Sequence, residues 1–202
     1  MNEIILKNNL IELYKEYSDN TPFPHILIND LLSESDALKI SKALMKEPFE
    51  KKQSDLFSLS QTNDLVSTTN AVLKDFYKAF SSMQFLKQIE KITSIRLKGK
   101  EKHSIDMAGS LYEDTDFLLC HDDRLQGRKI AYIYYLSEDF KEEDGGALLL
   151  LSDENGKPGK VIKRYLPVWN SIILFEVSPK SWHEVEEVLS SKKRYAIGGW
   201  FY

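Results

Sequence analysis

The chain of 202 residues changes character near Lys102, and that change limits its possible folds more than any other feature. Before it, apolar residues recur at helical spacing. After it, strand-like segments follow one another over 103–112, 117–123, 129–136, 146–151, 160–166, 171–176, 181–188 and 193–201. Turn signals punctuate them: Asp114, Gly127, Asp144-Gly145-Gly146, Asn155-Gly156-Lys157-Pro158-Gly159, Pro167 and Pro179. Helices first and about eight strands afterwards predict an α+β fold. In it, N-terminal helices pack on one sheet of a double-stranded β-helix, or jelly roll. No repeat, low-complexity segment or linker separates the halves. Residues 1–202 therefore read as a single domain, with a helical layer over about 1–100 and a jelly-roll core over about 103–202.

Within the first half, Ile5, Leu6, Leu10, Leu13, Tyr14 and Tyr17 predict an amphipathic helix over 2–17. Phe23 to Ile28 reads as a short strand. Ser33 or Ser35 can cap a helix over roughly 35–46. Residues 47–64 are polar and without clear period, so they read as a long loop of the kind that often carries function. Two more helices are expected near 66–79 and 82–93.

Composition excludes several classes. Apolar residues make up 42%, enough for a sizeable core. A formal net charge of −4 argues against a nucleic-acid or lipid-surface binder. The single cysteine, Cys120, permits no intrachain disulfide and fits a reducing compartment. Glu3, Lys7 and Asn8 interrupt the N-terminal apolar residues, so no signal peptide is read. No apolar run approaches the ~20 residues of a membrane-spanning helix. A soluble, intracellular protein is expected, cytoplasmic or nuclear, with no membrane partner.

The chemistry centres on Phe117-Leu118-Leu119-Cys120-His121-Asp122-Asp123. In an extended segment His121 and Asp123 project to one side, while Cys120 and Asp122 face away. His183, in Ser181-Trp182-His183-Glu184, can bring a third ligand from another strand. Two histidines and one carboxylate form the facial triad that holds non-haem Fe(II). Arg194 opens the last strand, and its planar fork suits the carboxylate of a dicarboxylic co-substrate. Each residue also has a bland reading. His-x-Asp arises often by chance, Asp123 can serve a turn, and His183 can be a core histidine. Arg194 can be one of three solvated cations with Lys192 and Lys193. The combination and its order along the strands favour the metal site. Strand phase supplies a check: Arg194, Ala196, Gly198, Trp200 and Tyr202 share one face, as do Ala131, Ile133 and Tyr135. His25 and His103 read as hydrogen-bonding or surface histidines. Arg124, Arg128 and Lys129 read as solvated loop residues, as does the acidic run Glu138 to Asp144.

These residues resemble a known family, the 2-oxoglutarate- and Fe(II)-dependent oxygenases of the prolyl-hydroxylase type. Within it, the chain looks most like the catalytic domain of the eukaryotic ribosomal prolyl 3-hydroxylases, which modify a proline of small-subunit protein uS12. The carriers are Pro22-Phe23-Pro24-His25, Asn63-Asp64-Leu65, Leu118-Leu119-Cys120-His121-Asp122-Asp123 and Leu125-Gln126-Gly127-Arg128. Gly145-Gly146, Pro167-Val168-Trp169-Asn170, Phe175-Glu176-Val177-Ser178-Pro179 and Gly199-Trp200-Phe201 complete them. The resemblance implies that His121, Asp123 and His183 bind iron. It implies that Arg194 and Tyr135 meet the distal carboxylate of 2-oxoglutarate, that Tyr112 stands near its metal-binding end, and that Trp200 lines the pocket. Cofactors implied are Fe(II), with 2-oxoglutarate and O2 as co-substrates and ascorbate as a candidate addition. The implied partner is a protein substrate, uS12. The stretch Ser60 to Leu65 matches a segment that closes over substrate. Two departures are visible. The interval from His183 to Arg194 is one residue short, and Ala196 stands where relatives often place a hydroxyl. The eukaryotic members also carry a second, catalytically silent barrel-like domain. This chain corresponds to their first, either as a catalytic domain or as a minimal single-domain relative.

Two other readings stay open. One is an oxygenase of this fold acting on another protein, a free amino acid or a nucleobase. The other is a non-catalytic module that binds iron or 2-oxoglutarate as a sensor.

Overall fold

Helices begin where a side-chain oxygen satisfies amides that a helix start leaves bare. Asn9 accepts from the Ile11 amide and opens α1 (Leu10–Asp19). Ser33 opens α2 (Glu34–Leu44), Asn70 opens α3 (Ala71–Phe80) and Ser82 opens α4 (Met83–Thr93). The computed structural model describes residues 3–98, 104–125 and 127–202; His103 and Gln126 lie outside the described residues. The first helix starts later than the apolar spacing predicts. Residues 3–8 are not helical, and Ile4 and Leu6 are buried by another route. The Leu6 amide donates to Gln88 Oε1 at 2.8 Å and Gln88 Nε2 donates to the Ile4 carbonyl at 2.9 Å, which pins the segment along α4.

Eleven strands among the described residues form one curled antiparallel sheet. They are β1 (His25–Ile28), β2 (Glu50–Ser54), β3 (Phe57–Gln61), β4 (Ile105–Tyr112), β5 (Phe117–His121), β6 (Ile130–Tyr135), β7 (Leu148–Asp153), β8 (Pro158–Tyr165), β9 (Ser171–Glu176), β10 (His183–Val185) and β11 (Arg194–Phe201). The order is β1-β9-β6-β11-β4-β3-β5-β10-β7-β8, with β2 beside β3. The predicted loop over 47–64 is therefore corrected: most of it is the β2–β3 hairpin. All of β2 is exposed, so it carries no apolar signal, whereas β3 alternates Phe57, Leu59 and Gln61 against buried Ser58 and Ser60. Asp116 ties the hairpin to the sheet. It pairs with Lys51, accepts from Ser58 Oγ at 2.6 Å and accepts from the Glu113 amide at 3.0 Å.

The period of two divides the central strands between two cores. From β6, Tyr132 and Tyr134 meet the helices, packing with Phe76, Phe80, Phe85 and Phe201. From the same strand, Ala131 and Tyr135 turn into the roll with Tyr112, Leu148, Phe175 and Ala196. The jelly-roll prediction holds, with helices on one face and a second interior inside the curl. The outermost strands of the order, β1 and β8, meet through a side-chain bond. His25 Nε2 lies 2.7 Å from Tyr165 Oη, so the sheet edges are joined although they do not pair. No helix among the described residues is long and apolar enough to cross a membrane.

Candidate metal centre and co-substrate cavity

β10 is three residues long and runs between β5 and β7, which sets His183 directly opposite His121. The register then slips, and Val185 pairs with Leu118. Two steps along β10 thus span three along β5, a bulge at Leu119–Cys120. Its effect is to aim both Leu118 and His121 into the roll. Cys120 packs outside, against Ala147, Leu149, Leu151 and Trp182.

Asp123 arrives by a different route from the predicted one. β5 ends at His121, and Asp123 has φ 59°, in the left-handed region that side chains seldom adopt. A turn, not strand alternation, brings its carboxylate back beside His121. Asp123 Oδ1 lies 3.4 Å from His121 Nε2, and Oδ2 lies 3.4 Å from His183 Nε2. Donor atoms of these three residues all fall within 4.8 Å of one another. Both imidazoles are oriented by the carbonyl two residues earlier. His121 Nδ1 is 2.9 Å from the Leu119 oxygen, and His183 Nδ1 is 2.9 Å from the Ser181 oxygen. A carbonyl only accepts, so Nδ1 carries the hydrogen and Nε2 keeps its lone pair. Phe175 closes one side, its ring edge-on to His183 with centroids 4.7 Å apart.

The charges interlock. Burial works to raise the Asp123 carboxyl, yet hydrogen bonds and charge from His121 and His183, in the form where Nε2 also carries a hydrogen, outweigh it and hold it well below the usual carboxylate range. For His121, burial works downward, and Asp123 reverses it and raises the imidazole. Two imidazoles and a carboxylate that share so little space match the donor set of non-haem Fe(II).

Arg194 stands deeper in the roll, 1% exposed. It pairs with Tyr112 across β4 and lies between two phenol rings, with its guanidinium carbon 4.9 Å from the Tyr112 centroid and 5.2 Å from that of Tyr135. Room for it comes from Gly146, where an added Cβ would press on the Arg194 Cδ at 3.2 Å. Arg194 Nε and Nη2 and Tyr135 Oη are buried without a hydrogen-bond partner. Leaving two buried guanidinium nitrogens unmatched is costly, so this fork can accept an anion. Burial pushes both phenols up to about 12 despite the nearby cation. They remain O–H donors, which suits a carboxylate guest. The fork and the Tyr135 hydroxyl fit the distal end of a dicarboxylic acid such as 2-oxoglutarate.

One cavity of about 760 Å³ joins these parts. Arg194, Tyr112, His121, Asp123, His183 and Trp200 are on its wall, while Tyr135 sits behind it against Arg194. Gln61, Asn63, Asp64 and Asp106 line it as well, with Phe57 and Leu59 from the hairpin. The structure thus brings every expected site residue to one place. It also adds three groups. Phe175 packs its ring against that of His183. The hairpin supplies a wall that its polar outer strand conceals in sequence. Arg128, expected to be a solvated loop residue, is instead largely buried and lies 3.2 Å above the Trp200 ring. No periodic signal marks it, because it lies between strands.

Residues 107–202 match the family model described as the 2OG-Fe(II) oxygenase superfamily. The chain is 38% identical over 187 residues to the prolyl 3-hydroxylase OGFOD1 of Xenopus laevis, covering 91% of this chain and 36% of that protein. It is 32% identical over 197 residues to the prolyl 3,4-dihydroxylase OGFOD1 of Ostreococcus tauri, covering 90% of this chain and 38% of that protein. The chain thus spans little more than a third of the length of these relatives. Among solved structures, a prolyl-4-hydroxylase from Pseudomonas putida superposes with a TM-score of 0.73 at 17% identity, over 94% of this chain and 97% of that one. A Trichoplax adhaerens prolyl hydroxylase, solved with a hypoxia inducible factor peptide, gives 0.74 at 17% identity, over 96% and 90%.

Proposed function

We propose that this chain, whose residues 107–202 match the model of the 2OG-Fe(II) oxygenase superfamily, is an iron- and 2-oxoglutarate-dependent prolyl hydroxylase acting on a protein. The observation that carries this is the pairing of two features in one cavity: a His121–Asp123–His183 cluster and, deeper, the Arg194 fork with Nε and Nη2 unpartnered. A metal-binding protein without a dicarboxylic co-substrate has no use for the second.

Iron bound at the cluster, with 2-oxoglutarate and O2, supplies the oxidation that places a hydroxyl on a prolyl carbon. The chain's residues do the holding. His121 and His183 offer Nε2 because their Nδ1–H groups are tied to carbonyls. Asp123 offers an ionised carboxylate. Arg194 and the protonated Tyr135 receive the distal carboxylate of the co-substrate. Tyr112, on the wall between Arg194 and the cluster, stands by its other end. Phe175, Phe57 and Leu59 keep that volume apolar and limit water. The substrate proline enters past the hairpin and Trp200.

The target we assign is a proline of ribosomal protein uS12. Identity with proteins named prolyl 3-hydroxylase supports a prolyl target, and the motif resemblance supports uS12 among such targets. A free cysteine and a ribosomal target both suit an intracellular site of action.

The test is an assay with Fe(II), 2-oxoglutarate and a uS12 peptide. Succinate should form with a peptide one oxygen heavier, and His183→Ala should lose both. Metal-dependent turnover with other peptides but not with uS12 would reject the assigned substrate. Absence of iron-dependent succinate with any prolyl peptide would reject the activity.

A further inference from the structure

Trp200 and Asp123 both line the cavity, and the polar edge of the indole is turned to the Asp123 carboxylate. The two oxygens of that carboxylate keep different company. Oδ2 accepts a hydrogen bond from Trp200 Nε1 at 2.9 Å and lies 3.4 Å from His183 Nε2. Oδ1 lies 3.4 Å from His121 Nε2 and 4.0 Å from Arg128 Nη1. The indole is itself held. The Arg128 guanidinium carbon sits 3.2 Å from the centroid of the Trp200 ring, and Arg128 Nη1 donates to the Asp123 backbone oxygen at 3.5 Å. One guanidinium thus presses on the ring that holds the carboxylate and on the backbone that carries it. That backbone needs support, because Asp123 has φ 59°. The stack has a cost: Arg128 Nε is buried with no hydrogen-bond partner. Behind the indole, β11 packs tightly on β4. An added Cβ on Gly199 would lie 1.9 Å from the Asp106 backbone oxygen, so the strand approaches β4 as closely as a backbone allows.

We propose that Trp200 and Arg128 are positioning residues for Asp123. The indole N–H ties Oδ2, which fixes the carboxylate plane in which Oδ1 faces His121 and Oδ2 faces His183. The guanidinium, flat on the indole, fixes the ring plane and the left-handed backbone together. A carboxylate free to rotate would lose that alignment; this one is held in a single orientation. Partners that orient a metal ligand without touching the metal commonly govern affinity about 10- to 100-fold. The inference rests on the reading of His121, Asp123 and His183 as the iron site.

Co(II) is a suitable probe, because its visible spectrum reports coordination without turnover. Binding and spectrum are compared for the wild type, Trp200→Phe, Arg128→Met, the double variant and His183→Ala. Trp200→Phe keeps the ring and removes the donor. It should weaken Co(II) binding about 10-fold and change the visible bands, with the melting midpoint of the metal-free protein unchanged. Arg128→Met should show a smaller loss in the same direction. The double variant should lose little more than Trp200→Phe, because both residues act through one carboxylate. Trp200→Phe protein with wild-type affinity and spectrum overturns the proposal. Should that variant fail to fold, Arg128→Met decides, and wild-type behaviour there overturns it. If only His183→Ala loses Co(II), the triad stands and the positioning pair falls. If the wild type binds no Co(II), both fall.

Discussion

Arg194 has no hydrogen-bond partner for Nε and Nη2 although it is almost wholly buried, and that isolation makes its removal informative in two directions. Arg194→Met should raise the KM for 2-oxoglutarate about 10- to 100-fold, the equivalent of the roughly 1.5–3 kcal/mol carried by hydrogen bonds to a charged group. Arg194→Lys should fall between, since it keeps the charge and loses the fork. The same Met variant should melt at or above the wild type when no co-substrate is present, because an unmatched buried charge is gone. Added 2-oxoglutarate should then stabilise the wild type and not the variant. Melting curves and initial rates check both arms, and an unchanged KM would exclude Arg194 from co-substrate binding. At this scale the residue types were legible in sequence and some of their reasons were not. His121 and Asp123 do face the same point, but a left-handed turn at Asp123 does what an extended strand was expected to do.

Among elements, the helical layer meets the sheet through an aromatic cluster in which Phe80 has the most partners. Phe80 on α3 lies 4.7 Å from Phe85 of α4, 4.8 Å from Tyr132 of β6 and 5.5 Å from Phe201 of β11, centroid to centroid. It is fully buried, so Phe80→Ala leaves a cavity where two helices and two strands meet. The expected loss is about 3–5 kcal/mol in denaturant unfolding. Ile11→Ala, at an exposed position of α1, should cost far less. Equal losses for the two variants would show that Phe80 is not the joint. The helices and the late strands were legible because their periods differ and their caps are local. The β2–β3 hairpin was not, because every residue of β2 faces solvent and its partner strand takes its place through Asp116, more than fifty residues away.

The whole molecule is closed by a histidine that the metal site does not use. His25 joins β1 to Tyr165 of β8, the two ends of the strand order, and burial lowers its imidazole below its ordinary value. The Phe23 carbonyl opposes that shift, and Lys163 adds to it. The folded chain therefore takes up this proton later than the unfolded chain as pH falls. The stability that His25 contributes is complete above about pH 6.5 and is lost as pH drops from there toward the lowered folded value. Melting midpoints of the wild type and His25→Gln, compared from neutral to mildly acid pH, should converge on the acid side. Parallel curves would show that His25 does not carry this dependence. By itself the sequence determined what could be built: strands from alternation and turn residues, helices from caps and spacing, and a candidate ligand set from residue chemistry. Each of those signals is local, spanning a few residues of chain. Only the tertiary structure decided where side chains would point once strands paired. The slip of β10 against β5 aims His121, the turn at Asp123 returns the carboxylate, the stack on Trp200 recruits Arg128, and the bond from His25 to Tyr165 closes the roll. Each depends on the positions of residues far apart in the chain, and no periodicity records those.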